Sequence, residues 1–331
     1  MSERTIGTKS LSDKSYKVDL SDRDIKTIVY FKNSNNMCEV EDNSIQLILT
    51  SPPYYNLKDY SVLQKQKGQL SNSPENYHQT YDEYLVMLKS VFKECNRILK
   101  DSGILVVNID IIRVKTQDKN IIPIPLHIIE ICLEIGLGCK DIIIYKKLTG
   151  IPFQFGKKLK DRYEYLLLFS KTNDYKWNLD DIRIPYPENY IYPPGHKRRN
   201  PLGKAPSNIW EFYPPFQTGG KHHYHYCPFP YGLCDRCIKL FTDKNDTVLD
   251  PFLGSGQFLA RAKFLKRNGI GYEINRDFAD LIKSKISNIK IGTEEEISRL
   301  VDYTIEKNEN NNPGKKVIKN NNQNLKKWIL S

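Results

Sequence analysis

The stretch that most constrains this chain lies near its end. A strand-like run, Thr247-Val248-Leu249, leads into Asp250-Pro251-Phe252-Leu253-Gly254-Ser255-Gly256, and a helical pattern opens at once. Glycines at a strand-to-helix turn permit positive φ and let the backbone approach a ligand closely. Phe258, Ala262 and Leu265 mark one face of a helix over Ser255–Arg267, and Ile270-Gly271-Tyr272 then reads as a strand ending in Glu273. That succession is the layout of a nucleotide-type cofactor site, in which the terminal carboxylate accepts hydrogen bonds from ribose hydroxyls. The glycines do not follow GxGxxG, and the Lys of a phosphate-binding loop is missing. Asp250 would repel a pyrophosphate but suits a cationic ligand bearing an amine. These points favour S-adenosylmethionine over NAD or ATP; the bland alternative is a structural turn with a glycine cap.

A second punctuated strand lies two hundred residues earlier. Ile45-Gln46-Leu47-Ile48-Leu49-Thr50 has strand length and is mostly apolar, and it stops at Ser51-Pro52-Pro53-Tyr54. Proline donates no hydrogen bond and fixes φ, so the carbonyls of this turn point outward. The Ser51 hydroxyl and the Pro52 carbonyl offer two acceptors for the two hydrogens of an exocyclic amine. Tyr54 adds an aromatic face on which a planar base can stack. Alone, a Pro-Pro-Tyr string also reads as a plain loop or a polyproline ligand. Its place at a strand's carboxyl end strengthens it.

Between the two turns the pattern is α/β. Apolar residues from Tyr81 to Leu99 recur at three- and four-residue steps, Gly103 follows, and Ile104-Leu105-Val106-Val107 reads as a buried strand. A second helix is expected over Leu126–Leu137, with strands at Ile142–Tyr145 and Tyr163–Phe169. Strands alternating with helices imply a mostly parallel sheet covered on both faces. From 185 to 230 the composition changes: ten of the eighteen prolines fall there, with His196, His222, His223 and His225. Regular structure should be scarce in that segment, and its length suggests function.

Composition excludes several classes. At 331 residues with 39% hydrophobic content, the chain can build a packed core. No apolar run reaches the roughly 18 residues of a membrane helix, and the polar N-terminus lacks a signal core. Seven dispersed cysteines read as reduced cytosolic thiols, which places the chain in the cytoplasm. The net charge of +11 divides into +7 over residues 140–221 and +4 over 305–331. A basic excess confined to two stretches suggests a polyanion-binding surface on an ordinary core, or solubility alone.

Taken together, the two turns resemble the amino-methylating DNA methyltransferases that use S-adenosylmethionine. In that family a Ser/Asn/Asp-Pro-Pro-Tyr turn is catalytic and an Asp-Pro-Phe-x-Gly-Ser-Gly turn binds the cofactor. Here the catalytic turn comes first and the cofactor turn last, a circularly permuted order like that of the β class. The resemblance covers roughly residues 28–285. Asn43-Ser44-Ile45-Gln46-Leu47, Arg97-Ile98-Leu99-Lys100, Arg162-Tyr163-Glu164-Tyr165 and Asn208-Ile209-Trp210 also match. His225-Tyr226-Cys227-Pro228-Phe229-Pro230 departs from the family's His-Pro-x-Pro-Phe-Pro only in Tyr226, and Gln257 stands where Thr is usual.

The resemblance implies a Rossmann-like methyltransferase fold with an inserted target-recognition region. It divides the chain into an N-terminal extension (1–27), a catalytic half (28–171), a recognition region (172–224), a cofactor-binding half (225–290) and a basic Asn/Lys-rich tail (291–331). Carried over residue by residue, Ser51, Pro52, Pro53 and Tyr54 are catalytic. Asp250, Pro251, Phe252, Gly254, Ser255, Gly256 and Glu273 hold the cofactor. The implied reaction is direct displacement on a base flipped out of duplex DNA. The Ser form of the turn goes in the family with cytosine N4, the Asp form mainly with adenine N6, so both bases stay open with cytosine favoured. A cognate restriction endonuclease is the implied genetic partner, and the enzyme is expected to act as monomer or homodimer. More distant readings are an RNA or protein amide methyltransferase and a non-catalytic DNA-binding subunit.

Two basic clusters and one Cys/His cluster remain. Lys197, Arg198 and Arg199 are the candidates for phosphate or guanine contacts, since Arg bonds guanine bidentately. Lys157, Lys158, Lys160 and Arg162 form a solvated loop or a DNA-backbone contact. His222, His223, His225, Cys227, Cys234 and Cys237 have partial zinc-ligand spacing. However, Leu233, Ile238, Leu240 and Phe241 place the last two cysteines on an apolar helix, so no metal is expected.

Overall fold

In a computed structural model, the described residues are 16–22, 24–53, 55, 80–113, 121–148, 159, 161–186, 200–215 and 228–298. Nine strands form one sheet: β1 (Tyr16–Asp19), β2 (Thr27–Phe31), β3 (Ile45–Thr50), β4 (Leu99–Ile109), β7 (Gly138–Lys147), β8 (Tyr163–Ser170), β9 (Ile209–Phe212), β10 (Thr247–Asp250) and β11 (Asn268–Tyr272). A two-stranded ribbon, β5 (Ile112–Arg113) with β6 (Ile121–Ile122), stands apart. The order across the large sheet is β1-β2-β11-β10-β3-β4-β8-β7-β9. Strands β2, β11, β10, β3 and β4 run parallel, β8 is antiparallel to both β4 and β7, and β9 pairs in parallel with β7. Only β1 and β8 therefore oppose the rest, which gives the mostly parallel α/β sheet that the alternation of elements implied.

The central strands read as unbroken apolar runs because both faces are covered. Along β4, Ile104 and Val106 face one core while Leu105, Val107 and Ile109 face the other. The first core takes α3 (Tyr231–Phe241), α4 (Gln257–Phe264) and α5 (Ala279–Asn288); the second takes α1 (Tyr81–Ile98) and α2 (Ile124–Glu134). A short α6 (Glu294–Ser298) ends the described chain.

Helix α1 begins with a capping box: Thr80 Oγ1 accepts from Glu83 N, and Glu83 Oε2 accepts from Thr80 N at 2.7 Å. Near its other end Arg97 donates to the carbonyls of Met37 and Val40, both at 3.0 Å, and pairs with Glu94 and Asp42. It thereby pins the loop leading into β3. Asn43, in that loop, has φ 52°, a conformation Asn tolerates better than most residues.

Several boundaries differ from the sequence expectation for local reasons. The second helix starts at Ile124 rather than Leu126, because Pro125 is tolerated in a first turn. It ends at Glu134 rather than Leu137, before Gly136 at φ 92°. Helix α4 starts at Gln257 rather than Ser255, because Gly256 is left-handed at φ 78° and caps it. Strand β1 lies within 1–27, the boundary at 28 falls inside β2, and β9 lies within 172–224. These three elements have four or five residues each, too short for periodicity to reveal.

Candidate active site

The order of strands creates a switch point. From β3 the chain crosses through α1 on the second core to β4; from β10 it crosses through α4 on the first core to β11. Neighbouring strands β3 and β10 thus send their connections to opposite faces and opposite sides. In open α/β sheets, ligands bind in the crevice that this divergence opens at the carboxyl ends. Both singled-out turns sit there. With Ile48 opposite Leu249, the residues that follow, Thr50-Ser51-Pro52-Pro53 and Asp250-Pro251-Phe252, emerge side by side.

One hydrogen bond joins them: Thr50 Oγ1 donates to Asp250 Oδ1 at 2.7 Å, in the interior. The same oxygen accepts from Phe252 N at 3.0 Å, which closes the turn over the Asp250 side chain. Asp250 Oδ2 has no partner among the described residues. Burial pushes this carboxyl up to about 7, with the Thr50 hydroxyl and the Phe252 amide pulling the other way.

Glu273, just past β11, completes the acidic side. Its Oε2 accepts from Gly254 N at 2.8 Å and its Oε1 from Asn275 N at 2.8 Å. Burial raises it to about 7 as well, against those two amides. Gly254 at φ 55° and Gly256 at φ 78° make the left-handed bends that carry the chain past Glu273 into α4. Ser255 and Pro251 are buried in the turn and Phe252 half-buried.

The far side of the turn is basic. Lys285, on α5, donates from Nζ to Ser255 Oγ at 2.9 Å and to Gln257 Oε1 at 3.0 Å. Gln257 Nε2 donates to Phe229 O at 2.7 Å, so the residue found in place of the usual Thr ties the Pro228–Pro230 segment to the glycine turn. At the end of β4, Asp110 is raised to about 6 by burial, with Lys147 opposing the rise; Lys147 pairs with Glu164 at 2.5 Å. Lys285 and Asp110 carried no sequence signal, because single charged residues outside a motif are indistinguishable from surface ones.

Of the catalytic residues expected, Ser51, Pro52 and Pro53 lie at the crevice, and Tyr54 lies outside the described residues. Its neighbour Tyr55 packs on Tyr81 and Tyr84, with ring centroids at 5.3 and 5.6 Å, and Tyr81 Oη meets His127 Nδ1 at 2.5 Å. This aromatic cluster anchors the turn to α1 and α2. Lys197, Arg198, Arg199 and the Lys157, Lys158 and Lys160 cluster also lie outside the described residues, as do His222, His223, His225 and Cys227. Cys234 and Cys237 are packed in the first core on α3.

The donor set suits S-adenosylmethionine, whose amino-acid end is a zwitterion beside a sulfonium. Among the described residues neither Asp250 nor Glu273 is paired with a Lys or Arg, and two buried carboxyls without a counter-charge call for a cation. When bound, the cofactor supplies a methyl group activated by that sulfonium.

Fold and crevice together define an α/β methyltransferase. The sequence profile of the DNA methylase family matches residues 45–284, and the chain belongs to that family. With membership comes S-adenosylmethionine as the cofactor. The chain is 31% identical over 281 residues to the type II methyltransferase M.MjaI of Methanocaldococcus jannaschii, covering 78% of this chain and 90% of that one. It is 29% identical over 253 residues to M.BglII of Bacillus subtilis, covering 75% of this chain and 65% of that one. Among solved structures, PvuII DNA methyltransferase (cytosine-N4-specific) superposes with a TM-score of 0.61 at 20% identity, covering 82% of this chain and 90% of that one. TTHA0409 of Thermus thermophilus, complexed with S-adenosyl-L-methionine, gives 0.55 at 22%, covering 80% and 96%.

Proposed function

We propose that the chain is the modification enzyme of a type II restriction–modification pair, and that it methylates a cytosine at N4 within a specific duplex DNA sequence. The Thr50–Asp250 hydrogen bond carries this reading, since it sets an amine-accepting turn directly against a cation-accepting one.

In this reading the target base leaves the helix and stacks on Tyr54. The Ser51 hydroxyl and Pro52 carbonyl accept the two amine hydrogens, which aims the nitrogen lone pair at the sulfonium methyl. Positioning then supplies much of the rate, and no covalent enzyme intermediate forms. Asp250 and Glu273 hold the cationic and hydroxyl-bearing parts of the cofactor, and the turn from Pro251 to Gly256 lets its backbone come close. The serine of Ser51-Pro52-Pro53-Tyr54 favours cytosine over adenine. Lys197, Arg198 and Arg199 contact the DNA from the Pro-rich segment, in line with the +7 of residues 140–221.

Mass spectrometry of nucleosides from DNA incubated with the protein and cofactor tests this. N4-methylcytosine is expected. N6-methyladenine would move the target to adenine, and unmodified DNA across a library of sequences would overturn the reading. Protection of the same DNA from one type II endonuclease would identify the partner.

A further inference from the structure

The glycine turn is electrically polar. Its strand end carries two carboxyls that lack a basic partner among the described residues, Asp250 and Glu273. Its helix end carries the opposite case. The ammonium of Lys285 touches only neutral acceptors, Ser255 Oγ at 2.9 Å and Gln257 Oε1 at 3.0 Å. Among the described residues no carboxylate pairs with it. Burial pulls this lysine down to about 8.

A half-buried cation without a counter-ion is still costly, and a lysine whose role were only to bridge Ser255 and Gln257 would be replaceable by a neutral donor. The two residues it holds flank Gly256, whose carbonyl opens the hydrogen-bonding of α4 by accepting from Ala260 N at 3.0 Å. Lys285 therefore adds a full positive charge where the helix N-terminus already favours an anion. A ligand spanning the turn meets acid at one end and base at the other.

We propose that Lys285 is the counter-ion of the carboxylate on the methionine portion of S-adenosylmethionine, with Ser255 and Gln257 aiming its ammonium. This rests on the cofactor assignment and adds a specificity element to it: the site selects a ligand that keeps its α-carboxylate.

Decarboxylated S-adenosylmethionine, which retains sulfonium, ammonium and adenosine, isolates the interaction. Titration calorimetry with the full chain should find it bound at least about tenfold more weakly than the intact cofactor, the usual worth of a charge-assisted contact. In Lys285→Met the intact cofactor should lose that tenfold, while the decarboxylated one binds as it does to the wild type. Lys285→Arg should retain most of the preference. Thermal unfolding of ligand-free Lys285→Met should occur no lower than in the wild type, because an uncompensated charge has been removed. Equal weakening of both ligands in Lys285→Met, or no weakening of either, overturns the proposal. Failure of the wild type to bind intact cofactor would instead overturn the cofactor assignment.

Discussion

Thr50 and Asp250, two hundred residues apart in the chain, share a buried 2.7 Å hydrogen bond at the carboxyl ends of adjacent parallel strands. The hydroxyl is the only side-chain donor to the Asp250 carboxyl among the described residues. It fixes both the position of the carboxyl and the start of the Ser51-Pro52-Pro53 turn. Thr50→Val keeps the shape and deletes the donor. Cofactor affinity should fall about tenfold, in keeping with the ~1–1.5 kcal/mol of one such bond, with the fold retained by circular dichroism. An unchanged dissociation constant would show that the link is incidental.

The pH dependence of cofactor binding follows from the two buried carboxyls. Both Asp250 and Glu273 are raised to about 7 by burial, so near pH 6 each is mostly protonated and offers a cation little. Affinity should rise as pH increases through 7 and decline again above about 8, where Lys285 gives up its charge. Because these groups hold protons more tightly folded than unfolded, their contribution to the stability of the ligand-free protein has the opposite sign. It is fully present below the ordinary carboxylate range and is lost as pH rises through about 7. Asp250→Asn should flatten both trends, and calorimetry and chemical denaturation between pH 5 and 8 would measure them.

Ser51→Ala separates chemistry from binding. The hydroxyl lies on the turn of β3 and takes no part in the hydrogen bonds made by Asp250 or Glu273. Methyl transfer from labelled cofactor to DNA should fall about a hundredfold, the scale for losing one positioned polar group at a reacting centre. Cofactor affinity should stay within twofold. Full transfer activity would remove Ser51 from the catalytic assignment.

Neutralising Lys197, Arg198 and Arg199 together should weaken DNA binding at every sequence. It should also make the slope of log K against log salt shallower by about three, roughly one for each phosphate no longer neutralised. Fluorescence anisotropy across a salt series reads both. An unchanged slope would place the three residues off the DNA.

Away from the crevice, Arg261 on α4 holds Asp235 on α3 through two buried hydrogen bonds, 2.7 and 2.9 Å long. Breaking a buried pair from one side strands the other charge. Asp235→Ala should thus cost about 3–5 kcal/mol in urea denaturation. Replacing both partners with apolar residues should recover much of it.

The two turns were legible because each combines an interrupting residue pair with a strand ahead of it. Pro52-Pro53 fixes its own φ, and Gly254-x-Gly256 admits the left-handed φ that other residues avoid, so each marks a turn without the fold. The long strands were legible for a related reason: double burial makes Ile104–Val107 and Leu166–Phe169 read as continuous apolar runs. What could not be read was adjacency. Nothing local in Thr50 or Asp250 says that their strands are neighbours, and Lys285 looks like any other lysine on an amphipathic helix until α5 is packed against the turn. Strand β9 was hidden by its setting, four residues among prolines, with regular structure dictated by the free edge of β7 rather than by its own pattern.

The switch point between β3 and β10 has a consequence for how such a molecule can change. The described sheet strands between the two turns build outward from β4 to β9, so the outer edge at β9 lies four strands, about 19 Å, from β3. The described segment that leaves β8 is tied at the amino ends of β4 and β10, away from the crevice: Lys176 N donates to Ser102 O and Lys176 Nζ pairs with Asp246 at 3.7 Å. Changes of length or sequence there can therefore be absorbed at the amino ends of the strands without moving the residues at their carboxyl ends.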